Sequence, residues 1–205
     1  MIKSIKIVQI KLLVLLVLLC IGNAFAQQPK PKIKIKVDTI PTALVLIDIQ
    51  DFYFPGGRVP LVNPEAASEK AAALLKLFRS QGLEVIHVQH GGGTPIHKNV
   101  TPLPGEKVIT KRDANSFNGT DLLNYLTTMK IKRLVICGMQ THMCVEATTR
   151  AAYDLGFKCI VVDDACATRN LMWGRRTVFA TDVQASTLAT LDGYYATVVT
   201  TADLE

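Results

Sequence analysis

The chain alternates short, nearly continuous apolar runs with stretches that carry helical spacing, and this alternation limits the folds open to it. Thr42-Ala-Leu-Val-Leu-Ile-Asp48 is the first such run, and 83–88, 108–110, 133–138, 158–162 and 195–200 follow it. Between them, 65–80, 120–129, 142–155 and 175–191 read as helices, with Gly82 and Gly156 placed as stops. Strands that are apolar throughout need cover on both faces, which indicates an α/β fold built on a parallel sheet. In such sheets the ligand site lies beyond the C-terminal strand ends. Asp48, Lys111 and Cys144 fall at those ends.

The N-terminal segment reads as something other than fold. Lys3, Lys6 and Lys11 precede an apolar run over 12–21, and Ala24-Phe25-Ala26 offers a small-x-small cleavage site. That layout is a secretory signal peptide over 1–26, with a run too short to span a bilayer comfortably. Cys20 poses a lipid-anchor alternative, but the bulky Leu18-Leu19 before it disfavours that reading. Residues 27–41, with basic and apolar residues alternating from Lys30 to Lys36, are expected to form an exposed lead-in to one domain over 42–205. Cleavage removes three lysines and no acids, so the formal net charge falls from +6 to +3. That mild excess makes no case for nucleic acid, and no stable membrane insertion is expected after cleavage.

Cys144 sits where a strand-like run meets a helix, near unpaired backbone N–H groups that favour a thiolate and can hold an oxyanion. Cys137 and Cys159 lie inside apolar runs, and no pair has CxxC spacing, so free thiols are expected and structural zinc is not. Gly91-Gly92-Gly93 lacks a following Gly-Lys-Ser/Thr, so it is no phosphate loop. Along a strand, His87 and His90 point to opposite faces, which makes them poor partners for a metal. Asn99-Val-Thr101 and Asn118-Gly-Thr120 match the glycosylation pattern, which matters only in a eukaryotic secretory route.

Three ordered motifs carry a family resemblance. They are Leu46-Ile-Asp48-Ile-Gln50-Asp-Phe-Tyr-Phe-Pro-Gly-Gly57, Lys111-Arg-Asp-Ala-Asn-Ser-Phe117, and Gly138-Met-Gln-Thr-His-Met-Cys144-Val-Glu-Ala-Thr148, with Asp163-Asp-Ala165 after the next strand. Together they resemble the isochorismatase-like cysteine hydrolases, a superfamily that includes nicotinamidases and N-carbamoylsarcosine amidohydrolases. The resemblance implies a Rossmann-like three-layer fold with a parallel sheet of about six strands and helices on both faces. It implies a catalytic triad of Asp48, Lys111 and Cys144, a cis peptide at Met139-Gln140, and an oxyanion hole from the backbone N–H groups of Gln140 and Cys144. A homo-oligomer is expected by the same analogy.

In the reaction so implied, Asp48 takes the thiol proton, Lys111 supports the charges, and Cys144 attacks an amide carbonyl on the way to a thioester. Gln50, His90, Phe117 and Trp173 are the candidate substrate-binding residues, Gln50 with an equal claim to fixing backbone near Asp48. Nicotinamidases of the superfamily carry an Asp-x-His pair where this chain has Gln89-His90-Gly91-Gly92, a departure that argues against a metal and against nicotinamide. Phe52 stands where relatives often have Asp. The expected activity is an exported, metal- and cofactor-free hydrolysis of a C–N bond in a small amide or carbamoyl compound. Vinyl-ether cleavage of the isochorismate type, or a non-catalytic binding protein of the same fold, are the rival readings. A thiolate exposed to an oxidising compartment also predicts dependence on thiol reductant.

Overall fold

A computed structural model describes residues 32–34 and 40–204. The expected signal peptide over 1–26 and most of the lead-in lie outside the described residues. Where the lead-in is described, Ile33 is only partly exposed. It packs against the core, and its N–H donates to the Asp203 carbonyl at 2.7 Å, which corrects the wholly exposed expectation at that residue.

Six strands form one parallel sheet: β1 (Thr42–Ile47), β2 (Glu84–His90), β3 (Lys107–Lys111), β4 (Arg133–Met139), β5 (Lys158–Ala167) and a last strand, Thr197–Val199. Their spatial order is β3-β2-β1-β4-β5-last. All residues of β1 and β4 are buried, as strands covered on both faces must be. The helices α1 (Pro64–Ser80), α2 (Leu122–Thr128) and α3 (Glu146–Asp154) connect them. Helix α1 buries Ala67, Ala71, Leu74, Leu75 and Phe78, the three-to-four spacing that the sequence shows, and Pro64 opens it with a fixed φ. The chain moves outward from β1 through β2 to β3 and then returns to the other side at β4. The switch point between β1 and β4 is where such sheets take ligands.

Two elements differ from the sequence reading. The apolar run of β5 stops at Val162, yet the strand continues through Asp163-Asp164 to Ala167. Its acids are accommodated because Asp164 Oδ1 accepts from the N–H and hydroxyl of Thr201 at 2.8 and 2.7 Å. The helix expected from residue 175 begins only at Ala180, as α4 (Ala180–Leu191). Before it, β6 (Leu171–Trp173) and β7 (Arg176–Val178) pair as an antiparallel hairpin, turning at Gly174 with φ +59°. Leu, Trp, Thr and Val suit a pleated ribbon, and the strand numbering therefore ends with Thr197–Val199 as β8.

One glycine is required for close approach. Gly138 has φ +134°, and a Cβ there would lie 2.0 Å from the Ile47 carbonyl oxygen. It lets β4 end against β1 at the switch point.

A polar cluster fastens the long 91–106 segment to the sheet. Glu106 accepts from Arg79 of α1 at 2.7 and 2.8 Å, from the Leu103 N–H at 2.8 Å, and faces His87 Nε2 at 2.9 Å. These donors hold the Glu106 carboxyl down at about 2 although burial opposes them. Its stabilising contribution is therefore complete above the ordinary value of 4.5 and is lost as pH falls toward 2. Glu106→Gln is expected to cost about 1–3 kcal/mol at pH 7. In urea titrations across pH, the gap to wild type should close between pH 4.5 and 2.

Candidate active site

Asp48 ends β1 in a left-handed backbone conformation, φ +50°, with its N–H donating to the Val88 carbonyl of β2 at 2.8 Å. Lys111 is the last residue of β3, opposite His90 of β2. Cys144 follows β4 in a π-helical turn, Thr141–Val145, that leads into α3. The three sequence-selected side chains meet. Lys111 Nζ donates to Asp48 Oδ2 at 2.6 Å, to Cys144 Sγ at 3.3 Å and to the Asp113 carbonyl at 3.0 Å. An ammonium has three protons, so all three are engaged. Both side chains of the ion pair are fully buried. Asp48 Oδ1, also buried, meets no nitrogen or oxygen donor among the described residues, and the carboxyl interacts with the Cys144 thiol beside it.

The Met139-Gln140 peptide is cis, at the position the resemblance gives. The Gln140 carbonyl accepts from the N–H groups of Met143 and Val145 at 3.0 and 3.3 Å, which closes the turn around the thiol. The Cys144 thiol is 6% exposed. A cavity of about 350 Å³ is lined by Ala114, by His142 and Met143 of the turn, and by Glu146, Ala147 and Arg150 of α3, without Asp48, Lys111 or Cys144.

A match to the Isochorismatase domain covers residues 42–203. The chain belongs to the isochorismatase family. It is 46% identical over 173 residues to the uncharacterised family protein YddQ of Bacillus subtilis, covering 78% of this chain and 96% of that one. It is 29% identical over 188 residues to the maleamate amidohydrolase of Pseudomonas putida, covering 78% and 84%. Among solved structures, a candidate isochorismatase hydrolase from Oleispira antarctica superposes with a TM-score of 0.78 at 44% identity, covering 81% of this chain and 96% of that one. Membership makes this chain an isochorismatase-like hydrolase, and the parallel six-stranded sheet is the family's fold.

Within this family frame, the ionisation expected of Cys144 is corrected. Placement at a helix start favours thiolate, but burial, and after it the Asp48 charge, push the thiol up to about 12 against the pull of Lys111. Burial likewise raises the Asp48 carboxyl, opposed by the same ammonium. Burial of the thiol therefore favours its protonated form.

The four candidate substrate-binding residues are divided by the structure. His90 ends β2 opposite Lys111, within electrostatic reach of Asp48. Gln50 is fully buried and its amide is committed to backbone. Nε2 donates to the His90 and Thr94 carbonyls at 3.2 and 2.7 Å, and Oε1 accepts from the His90 N–H at 2.7 Å. It is a clamp on the start of the 91–106 segment, which corrects its placement among the substrate contacts. Phe117 stacks on Phe157 at 6.1 Å. Phe157 precedes the first residue of β5, at the end of the sheet opposite the triad, so Phe117 does not wall the site. Trp173 is 83% exposed on the β6–β7 hairpin.

Residues outside the sequence-derived set also converge here. The Tyr53 hydroxyl accepts from Gln140 Nε2 at 3.4 Å, Arg169 Nε donates to Gln140 Oε1 at 3.1 Å, and His142 Nδ1 meets the Thr168 hydroxyl at 2.6 Å. Their signal in the sequence is adjacency to the motifs: Tyr53 lies five residues after Asp48, His142 two before Cys144, and Arg169 two beyond β5. Among the described residues, no group of three or more His, Cys, Asp or Glu is arranged to hold a metal ion. His87 faces Glu106, while His97 stacks on Phe54 at 3.7 Å. The described cysteines are all free.

Removing one partner of a buried ion pair strands the other charge, whereas removing both removes the penalty. Lys111→Met is expected to cost about 3–5 kcal/mol in chemical denaturation. Adding Asp48→Asn to it should recover most of that loss, and a double-mutant cycle reads the difference.

Proposed function

We propose that this hydrolase cleaves the C–N bond of a small amide or carbamoyl compound through a Cys144 thioester. The observation that carries the reading is the Lys111 ammonium set between a carboxylate at 2.6 Å and a thiol at 3.3 Å, at the switch point of the sheet. The name of the maleamate amidohydrolase relative also points to amide cleavage.

In this reading the substrate carbonyl sits over Cys144. As Sγ attacks, the thiol proton passes to the Asp48 carboxylate beside it, and the carbonyl π pair moves onto oxygen. Backbone N–H groups of Gln140 and Cys144 receive that oxyanion. Collapse breaks the C–N bond, with Asp48 returning the proton to nitrogen, so ammonia leaves. Water then attacks the thioester while Asp48 takes its proton, giving the acid and restoring the thiol. Lys111 keeps all three of its hydrogen bonds throughout and acts by charge, as a constant counter-ion to whichever of Asp48 and Cys144 is anionic. Arg169, exposed beyond its bond to Gln140, places a guanidinium near this turn and suits an amide whose far end carries an acid.

Ammonia release from a panel of succinamate, acetamide, N-carbamoylglycine and nicotinamide tests the reading. Wild type is expected to turn over at least one amide, unaffected by EDTA, and Cys144→Ala should lose about 10³-fold or more in kcat. Arg169→Met should raise KM for succinamate about tenfold or more relative to acetamide. No ammonia from any member, or turnover retained in Cys144→Ala, would contradict the thioester route.

A further inference from the structure

Tyr53 closes the short 3-10 turn Asp51–Tyr53, only five residues beyond Asp48, and is 6% exposed. Its ring lies against Phe52 with centroids 4.1 Å apart, and its N–H donates to the Gln50 carbonyl at 3.0 Å. The hydroxyl has one hydrogen-bond partner among the described residues, the Gln140 side-chain amide. The direction of that bond is fixed from the far end. Arg169 can only donate, so it takes Gln140 Oε1 and turns Nε2 toward Tyr53. The phenol oxygen is thus the acceptor, and its own proton has no acceptor among the described residues.

The surroundings keep that proton in place. Burial raises the phenol to about 12, and the charges of Cys144 and Asp48 reach it and add to the rise. A buried phenol proton without an acceptor therefore lies within electrostatic reach of both Cys144 and Asp48, whose Oδ1 has no nitrogen or oxygen donor among the described residues. Lys111, the other donor near the thiol, has no proton to spare. Burying unpaired polar groups is costly, and native structures retain them where a ligand completes the bonding. A primary amide has an N–H for the carboxylate and a carbonyl oxygen for the phenol.

We propose that Tyr53 is a catalytic residue, donating its hydroxyl hydrogen bond to the substrate carbonyl oxygen as that oxygen becomes the oxyanion of the tetrahedral adduct. The inference rests on the amidohydrolase reading. The Sγ–C bond forms, the π pair moves to oxygen, and the thiol proton moves to Asp48, while Tyr53 keeps its own proton and only shortens its hydrogen bond. When the adduct collapses, the carbonyl re-forms and the C–N bond breaks. The Gln140 side chain, held by Arg169, is the positioning residue that keeps the hydroxyl aimed.

The test is Tyr53→Phe, which keeps the ring and its packing. The assay uses the fastest amide of the ammonia-release panel, together with the aldehyde in which –CHO replaces its –CONH₂. That aldehyde adds the Cys144 thiol across its carbonyl as a hemithioacetal, whose oxygen occupies the oxyanion position. Tyr53→Phe is expected to lower kcat by about 10²-fold, with KM and melting temperature nearly unchanged. Its affinity for the aldehyde should weaken by a similar factor, while Cys144→Ala loses aldehyde binding altogether. If wild type turns over and Tyr53→Phe keeps kcat within about threefold, or loses only KM, the role of Tyr53 is overturned and the amidohydrolase reading stands. If wild type neither releases ammonia nor binds the aldehyde, that reading fails and the inference falls with it.

Discussion

The Lys111 ammonium is the charge around which this site is built. Taking an ammonium out of water is expensive, and the cost is tolerable only where every proton has a partner and a countercharge is close. Here the three partners are Asp48, Cys144 and the Asp113 carbonyl, contributed from the ends of β1 and β4 and from the turn after β3 itself. The lysine thus ties together three strand ends that are far apart in sequence. It also sets the chemistry. With its protons committed, it cannot donate to substrate, and it acts on Asp48 and Cys144 by proximity of charge. Donors for the substrate must come from backbone N–H groups and from other side chains.

Much of the fold serves to hold that arrangement. The parallel sheet places Asp48 and Cys144 on either side of the switch point, and Gly138 lets β4 end closely against β1. Gln50 spans from the Asp48 turn to the end of β2, fixing the first residues of the 91–106 segment. The Arg79–Glu106–His87 cluster fixes its other end. The segment is rich in Gly and Pro. It is nonetheless anchored at both ends by buried polar contacts.

The sheet was legible because strands covered on both faces must be apolar throughout, and the meeting of Asp48, Lys111 and Cys144 because each falls at or beyond a strand end within the three ordered motifs. What stayed hidden depends on neighbours distant in sequence. Two acids in β5 broke its apolar run, and only the Thr201 contact explains why the strand continues. The hairpin at 171–178 looked like the start of a helix because its pairing, not local propensity, decides it. Phe117 and Trp173 carry aromatic bulk that suits a pocket wall, yet one packs beneath the sheet end and the other faces solvent. The thiol is the clearest case. A helix start favours thiolate, but burial outweighs that bias, and burial is a property of the folded chain that no local motif reports. Tyr53 sat within a quoted motif, and the role proposed for it depends on a bond direction set by Arg169, over a hundred residues away.

Central to the proposed reaction is a Cys144 that rests as a neutral thiol and gives up its proton only when substrate arrives. The measurement that tests it most directly is the rate of Cys144 alkylation by iodoacetamide as a function of pH, read by intact mass on the other-cysteine-free background Cys137→Ala/Cys159→Ala/Cys166→Ala and normalised to a free-cysteine peptide. The account predicts slow alkylation at pH 7 and an inflection above the ordinary thiol value of 9, toward about 12. Rapid alkylation with an inflection below pH 7 would show a preformed thiolate and contradict it.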